Sequence, residues 1–239
     1  MPLYSATCPL PKNQMLRRHQ TAPFSPADIT GLSLWLKADA GVTLSGSNVT
    51  AWADQSGNAR NATATDTPTL TTISGKTFVD FAGGYLSGNE VLSQPYATIM
   101  AVANFTSLRE VEAIFEQVDL EGGYNMVFYR GHFGANSIFA IYNGASFGSI
   151  ATTNNNQTYL FGVTVDGAFG SLYLNATADE VGDSGEFTPS GPYNIGRFEG
   201  QSATTTEMRM AEIVVYNRVL TTPERQQVEA YLNAKYAIY

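Results

Sequence analysis

Acidic residues between positions 110 and 121 are the part of the chain whose types and spacing could do chemistry. Glu110 and Glu112 would project from one face of an extended strand, and Glu116, Asp119 and Glu121 follow closely. Glycoside hydrolysis needs two carboxylates that face one sugar, so it is the strongest enzymatic hypothesis. The spacing is loose for that geometry, and a solvated acidic edge explains the cluster better. We therefore predict no catalytic residues.

Other catalytic chemistries have even less support in the sequence. The chain has two histidines, His19 and His132, and one cysteine, Cys8, so a catalytic triad would depend on His132 alone and a zinc site lacks ligands. The segment from Asp54 to Asn58 offers oxygen ligands, but it lacks the alternating acids of an EF-hand loop, and an Asx turn explains it. We predict no metal and no cofactor, with calcium as the alternative.

Charge and hydropathy exclude two classes of partner. The formal net charge is −8, whereas binding to a phosphate backbone requires surplus Lys and Arg, so we predict no nucleic-acid partner. No stretch approaches the roughly 20 apolar residues that span a bilayer, which predicts no membrane partner. The single cysteine and the lack of an apolar segment after Met1 favour synthesis and folding in a cytoplasm.

Residues 1–30 are predicted to form an extended N-terminal arm. The segment is rich in proline and has little apolar periodicity. It is also basic, because it contains three of the 13 basic residues and one of the 21 acidic residues. Two alternatives remain open: the arm binds a neighbouring subunit, or it folds back on its own domain with Phe24 as an anchor. The candidate partner-binding residues are Lys12, Arg17, Arg18 and Phe24.

Residues 31–239 are predicted to form one all-β domain. Short runs with a period of two are separated by clusters of Gly, Asn, Asp and Ser, a pattern typical of a two-sheet antiparallel sandwich. Strands 159–165 and 171–177 are predicted to pair through a turn at residues 166–170. The residues predicted to share a strand face are Leu32, Leu34 and Leu36; Tyr159, Phe161, Val163 and Val165; and Leu172 and Leu174.

One short helix is predicted at the C-terminal end of the domain. Thr221 can cap it with Glu224 three residues later, and Pro223 suits its first turn. Val228, Tyr231 and other apolar residues follow at helical spacing, so the helix should pack on the sandwich.

Four segments resemble the laminin G-like and concanavalin A-like jelly-roll domains of bacterial and phage surface proteins. The first is the opening run of residues 34–42, LWLKADAGV, followed by VTAWADQSGN at 49–58 and FVDFAGG at 78–84. The last is AEIVVYNRVL at 211–220 with the helix after it. The resemblance covers residues 31–236 and implies a jelly-roll sandwich. It does not imply one function, because this fold is used by lectins, hydrolases and structural domains.

The resemblance also bears on the acidic cluster and on the tryptophans. Laminarinase-type hydrolases with this fold carry a Glu-x-Asp-x-x-Glu strand, and neither Glu110-x-Glu112 nor the acids from Glu116 onward reproduce that order. Trp35 and Trp52 could stack on sugars, but tryptophans between apolar strand residues are more often core, and we predict core positions for both.

Two non-enzymatic functions follow. The first is a structural protein of a virus particle, a phage capsid decoration or tail component, made in the host cytoplasm, with virion subunits as partners and the sandwich displayed outward. The alternative is a carbohydrate-binding module or adhesin at a cell surface. A homo-oligomer, dimer or trimer, is expected because sheet edges need covering. Aromatic rings, amides and guanidinium groups suit sugars, and the candidate glycan-binding residues are Tyr142, Asn143, Phe147, Tyr193 and Arg197.

Overall fold

The chain forms nineteen strands and one α-helix within the residues that the structure describes. A computed structural model describes residues 23–107, 111–118, 126–132, 135–142, 145–167, 169–183, 189–199 and 204–239. A short 3-10 helix, Pro26–Asp28, precedes the strands, and α1 (Thr222–Tyr236) follows them. The strands are β1 (Leu32–Lys37), β2 (Val42–Ser45), β3 (Asn48–Trp52), β4 (Ala62–Thr65), β5 (Thr69–Ile73), β6 (Lys76–Asp80), β7 (Tyr85–Gly88), β8 (Ala97–Phe105), β9 (Glu112–Gln117), β10 (Met126–His132), β11 (Ala135–Tyr142), β12 (Ala145–Thr152), β13 (Thr158–Val165), β14 (Phe169–Leu174), β15 (Thr177–Asp183), β16 (Tyr193–Ile195), β17 (Arg197–Phe198), β18 (Thr204–Thr205) and β19 (Met208–Tyr216).

Seventeen of the strands pair into two antiparallel layers, and β17 pairs with β18 as a separate two-stranded sheet. Layer 1 runs β15-β14-β13-β8-β19, and both β1 and β6 pair with the other side of β19, with β5 next to β6. Layer 2 runs β12-β11-β10-β9-β16-β7-β4-β3-β2. The layers join where Asn48 of β3 meets Thr69 of β5. The predicted antiparallel sandwich with a C-terminal helix is thus confirmed.

The main core lies between the two layers and follows the period of two. Every second residue of β13, from Tyr159 to Val165, belongs to this core, and Leu172 and Leu174 of β14 pack with them. Trp52 is also in it, fully buried, and its indole N–H donates to the Lys37 carbonyl at 2.8 Å. These strand faces and the core position of Trp52 agree with the sequence.

One predicted strand face is wrong in part. Leu34 and Leu36 lie in the core between the layers, but Leu32 packs on the opposite side of β1. The register between β1 and β19 shifts between Leu32 and Leu34. Because side chains alternate along a strand, a one-residue irregularity moves a side chain to the other face.

The hairpin between β13 and β14 forms as predicted. The strands pair from Phe161 with Leu174 to Val165 with Gly170. In the turn, the Asp166 carboxylate accepts from the Phe169 backbone N–H at 2.7 Å, and Gly167 has a φ of 93°. A glycine adopts that positive φ without steric cost, which explains why the turn can be this tight.

Helix α1 covers the outer face of layer 1. A second core cluster joins Val228, Leu232 and Tyr236 of the helix to Trp35 and Val214 of the sheet below. The buried position of Trp35 confirms its predicted core role. No helix in the described part of the chain is long and apolar enough to cross a membrane.

A buried carboxylate, Glu212 of β19, ties the helix to the sheet. It is fully buried and accepts hydrogen bonds from the Trp35 indole at 2.6 Å and the Lys235 ammonium at 2.7 Å. The hydroxyls of Tyr236 and Tyr231 donate to it at 2.8 and 3.0 Å. Burial, aided by the Glu212 charge, raises the pKa of both tyrosines, so they stay protonated as donors.

The start of the helix is held by Glu224, as its spacing from Thr221 predicts. Its carboxylate accepts from the Thr221 backbone N–H and hydroxyl, both at 2.9 Å. Arg218 donates to the same carboxylate at 2.6 and 3.0 Å. The Arg218 hydrogen bonds come first among the interactions that lower the pKa of Glu224 from its ordinary 4.5 to about 2.

We expect the stabilising effect of Glu224 to depend on pH. Because the pKa of Glu224 is lowered in the folded state, its contribution is present above the ordinary pKa and is lost as the pH falls towards 2. The melting temperatures of the wild-type protein and of Glu224→Gln should therefore differ more at about pH 6 than at about pH 3. Glu90→Gln, far from this cluster in sequence, is the control. A gap that is unchanged or wider at the lower pH would contradict this expectation.

Residues 23–30, the described end of the predicted arm, pack on the same outer face. Phe24 contacts Tyr231 of the helix edge-on, with ring centroids 6.2 Å apart. The Tyr216 hydroxyl donates to the Pro26 carbonyl at 2.9 Å, and Ile29 is buried. Phe24 is thus placed as in the alternative in which it anchors the arm to its own domain. Lys12, Arg17 and Arg18 lie outside the described residues.

Candidate functional site

The acidic cluster of the sequence is not a solvated edge where the structure describes it. Glu112 and Glu116 both lie in β9, and both are fully buried. The prediction of a solvated edge is therefore wrong for these two residues. Glu110, Asp119 and Glu121 lie outside the described residues.

Glu112 forms a buried ion pair with Arg130 of β10. The two side chains are fully buried, and the Glu112 Oε2 to Arg130 Nη1 distance is 3.0 Å. Arg130 also donates to the Ser107 carbonyl and to the Asn155 side chain, and its guanidinium lies 4.8 Å from the centre of the Phe105 ring. Burial lowers the pKa of Arg130, and the Glu112 charge opposes that shift. Because protein encloses this pair, its role is structural.

Glu116 points away from Glu112, towards the outer face of layer 2. The register between β9 and β10 shifts between Phe128 and Tyr129, which reverses the alternation along β9. Glu116 pairs with Asn194, which alternates with the core residues Tyr193 and Ile195 and so faces outward. Two carboxylates on opposite faces of a sheet cannot act on one sugar, so this pair does not form a glycosidase site.

Glu116 is covered by the segment that follows β16. Its carboxylate accepts from the Glu199 backbone N–H at 3.0 and 3.1 Å and from the Asn194 amide at 3.1 Å. The same Asn194 amide donates to the Glu199 carboxylate at 3.3 Å. Buried Glu116 thus acts as a support that fixes the position of Glu199, which is 49% exposed.

A polar strip crosses the outer face of layer 2 beside this segment. The strand registers align Thr63 with Ser87, Ser87 with Asn194, and Asn194 with Glu116. Thr63 and Thr65 are exposed, and Tyr85 and Ser87 are partly exposed. In contrast to the outer face of layer 1, this strip is not covered by a described helix, and it presents hydroxyl groups and an aromatic ring to solvent.

Arg197, one of the predicted glycan-binding residues, lies at this strip. Its guanidinium carbon is 4.5 Å from the centre of the Tyr85 ring, and its Nη2 is 3.6 Å from Glu199 Oε1. The buried Nε of Arg197 has no hydrogen-bond partner among the described residues. Arg197 is therefore held in place by Tyr85, with its Nη2 beside Glu199.

A glycine turn fixes where Arg197 emerges. Gly196 joins β16 to β17 with a φ of 81°, and a Cβ atom there would lie 2.6 Å from Cδ1 of the core residue Phe81. The turn is braced by the Thr206 backbone N–H, which donates to the Gly196 carbonyl at 2.8 Å. Only glycine fits such a conformation at this distance, so the core itself sets the position of Arg197.

Tyr193, another candidate glycan-binding residue, does not join Arg197 at the surface. Tyr193 is fully buried, its hydroxyl donates to the Arg60 carbonyl at 2.9 Å, and its ring stacks on Phe115. Burial also raises its pKa. Its assignment as a glycan contact is corrected, because a fully buried ring offers no face to a sugar.

The remaining candidates lie along the hairpin of β11 and β12. Tyr142 pairs with Ala145 and Phe147 with Ala140, three or more strands from β16 in layer 2. Asn143 lies outside the described residues. The hairpin is therefore a separate part of the layer from the Arg197 surface.

The Asp54 segment forms the turn that the sequence predicts. Its carboxylate accepts from the Ser56 backbone N–H at 2.8 Å, which is the hydrogen bond of an Asx turn. The Trp35 and Arg60 backbone N–H groups donate to it at 3.0 and 3.1 Å. Among the described residues there is no group of three or more His, Cys, Asp or Glu that could hold a metal ion.

No known protein family model matches this chain, and no curated protein matches it. The strand pairing defines a jelly-roll-like β-sandwich, and similar solved structures share that fold.

Three of these structures show which kinds of protein share the fold. Domain 4 of the extracellular arabinanase AbnA from Geobacillus stearothermophilus, in complex with arabinotriose, is 13% identical with a TM-score of 0.65, over 83% of this chain and 97% of that one. Trypanosoma rangeli sialidase in complex with sialic acid is 15% identical (TM-score 0.63; 87% and 34%). A structure of botulinum neurotoxin type C, whose cell entry depends on interaction with two ganglioside molecules, is 10% identical with a TM-score of 0.62, over 86% of this chain and 52% of that one. The chain thus spans about a third and about half of the last two, and identities this low show the fold alone.

Proposed function

We propose that this protein is a non-catalytic glycan-binding module, and that Arg197, Tyr85 and Glu199 form its binding surface. The observation that carries the proposal is the guanidinium of Arg197, which lies over the Tyr85 ring and beside the exposed carboxylate of Glu199. Planar guanidinium groups, carboxylates and aromatic rings are groups that sugar hydroxyls and C–H faces can use.

Two further observations support a binding role without catalysis. The strip beside Arg197 is rich in hydroxyl groups and is open, as a surface for an extended oligosaccharide must be. The similar structures include an arabinanase domain in complex with arabinotriose and a botulinum neurotoxin that interacts with two ganglioside molecules. Glu116, the second carboxylate near Glu199, is fully enclosed by its hydrogen bonds, so it has no access to a glycosidic bond.

Replacing Arg197 with alanine is expected to weaken glycan binding about tenfold or more, because one or two charge-assisted hydrogen bonds are lost. The measurement is a glycan array followed by titration calorimetry with the strongest neutral oligosaccharide. Arg209→Ala is the matched control, since Arg209 is a partly exposed arginine that pairs with Asp80 on the other layer. Equal binding by the wild-type protein and Arg197→Ala would rule out this surface.

The role in a virus particle stays a separate prediction. Three of its four candidate residues, Lys12, Arg17 and Arg18, lie outside the described residues. Cosedimentation of the full chain, and of a chain lacking residues 1–22, with particles from the source would test it. Saturable binding that needs these residues would support the particle role, and glycan binding that survives their deletion would place recognition in the sandwich.

A further inference from the structure

Resting on the proposed function, the geometry points to a neutral sugar as the ligand: we propose that two adjacent hydroxyls of an uncharged glycosyl residue bridge Arg197 and Glu199, and that the surface disfavours acidic sugars.

Arg197 and Glu199 lie beside each other without a direct hydrogen bond. Arg197 Nη2 and Glu199 Oε1 are 3.6 Å apart, which is longer than the 2.7–3.2 Å of an N–H to O hydrogen bond. The two groups therefore form an ion pair but no hydrogen bond with each other. Glu199 is half exposed and Arg197 is 21% exposed, so a ligand can reach both.

Arg197 and Glu199 together suit a ligand group that both donates and accepts hydrogen bonds. A guanidinium only donates, and an ionised carboxylate only accepts. A hydroxyl group does both, so one sugar hydroxyl can accept from Arg197 while it, or its neighbour, donates to Glu199. A ligand carboxylate or sulfate only accepts, so it could bind Arg197 but would donate no hydrogen bond to Glu199, and its negative charge would approach that of Glu199.

The local charge is the third step. The Asn194 amide links two carboxylates, Glu116 at 3.1 Å and Glu199 at 3.3 Å, and within the described residues Arg197 pairs with Glu199. An anion that bound Arg197 would therefore lie close to Glu199 as well. Like charges about 4–6 Å apart near a protein surface repel each other appreciably, which favours an uncharged ligand.

The orientation of Arg197 is the last step. Its guanidinium lies over the Tyr85 ring, and this contact holds the side chain in position before a ligand arrives. Tyr85 is in this sense a positioning residue, because it keeps the N–H edge of the guanidinium aligned with Glu199. Tyr85→Phe should preserve binding, and Tyr85→Ala should weaken it.

The test uses paired probes on the full chain. Galactose-terminated oligosaccharides and arabinotriose are the neutral probes, and the same galactose-terminated glycans capped with sialic acid are the acidic ones. We expect the wild-type protein to bind neutral probes at least about tenfold more tightly, with little dependence on salt. In Glu199→Gln, whose folding is checked by near-ultraviolet circular dichroism, the preference should shrink severalfold because the repelling charge is gone.

The outcomes separate the two proposals. Tighter binding of the sialylated probes by the wild-type protein, abolished by Arg197→Ala, would overturn the neutral-sugar inference and leave the glycan-binding function standing. An unchanged preference in folded Glu199→Gln would also overturn the inference. Binding of none of the probes, neutral or acidic, would overturn the proposed function itself.

Discussion

Replacement of Arg130 by methionine is expected to lower the free energy of unfolding by about 3–5 kcal/mol. The change leaves Glu112 fully buried at the end of β9 without the cation that lies 3.0 Å from it. It also removes the donors to Ser107 and Asn155, which tie the loops around the ion pair together. Urea denaturation followed by tryptophan fluorescence measures the loss.

Two variants show whether the loss comes from the uncompensated charge. The double variant Arg130→Met with Glu112→Gln removes both charges, and it should recover a large part of the lost stability. Arg209→Met breaks a partly exposed pair with Asp80 at 2.9 Å, and it should cost at most about 1 kcal/mol. A small effect of Arg130→Met, similar to that of Arg209→Met, would mean that the buried pair is not important for stability.

Replacement of Glu212 by glutamine is expected to cost about 3 kcal/mol and to loosen helix α1. The glutamine has nearly the same shape, but its amide nitrogen is a donor placed among donors. The indole of Trp35, the ammonium of Lys235 and the hydroxyl of Tyr236 would then compete for one remaining oxygen. Compared with the wild-type protein, the variant should show a larger increase in amide hydrogen exchange in the helix than in the β13–β14 hairpin.

The exposed partner of the same lysine provides the control. Asp39 is 47% exposed and lies 3.0 Å from Lys235, so Asp39→Asn should change stability by at most about 1 kcal/mol. Equal effects of Asp39→Asn and Glu212→Gln would contradict the role given to the buried carboxylate.

Periodicity made much of the fold predictable. Alternation from Tyr159 to Val165 is a property of strand geometry, and it placed those residues correctly in the core. The turn chemistry of Asp166 and Gly167 likewise gave the hairpin. Leu32 was misplaced because a bulge changes the alternation, and a single residue of irregular register leaves no mark in apolar periodicity.

The site was harder to predict because it depends on contacts between distant segments. Glu112 and Glu116 were expected in solvent because charged residues are seldom buried, and only the pairing of β9 with β10 and β16 reveals their partners. Tyr193 was chosen for its ring, yet its position between Gly88 and Phe115 is fixed by sheet packing. Arg197 was named from the sequence and its glycan-binding role stays a prediction, whereas Tyr85 and Glu199 became candidates only through their proximity to it.

The helix and the first described residues lie together on one side of the sandwich, with Phe24 against Tyr231, while Arg197 lies on the other side. A tether attached at either of these segments would therefore turn the Arg197 surface away from its support. On a sensor chip or a scaffold, coupling through helix α1 should leave the proposed binding surface facing the bulk liquid, where many copies could engage one multivalent polymer at once.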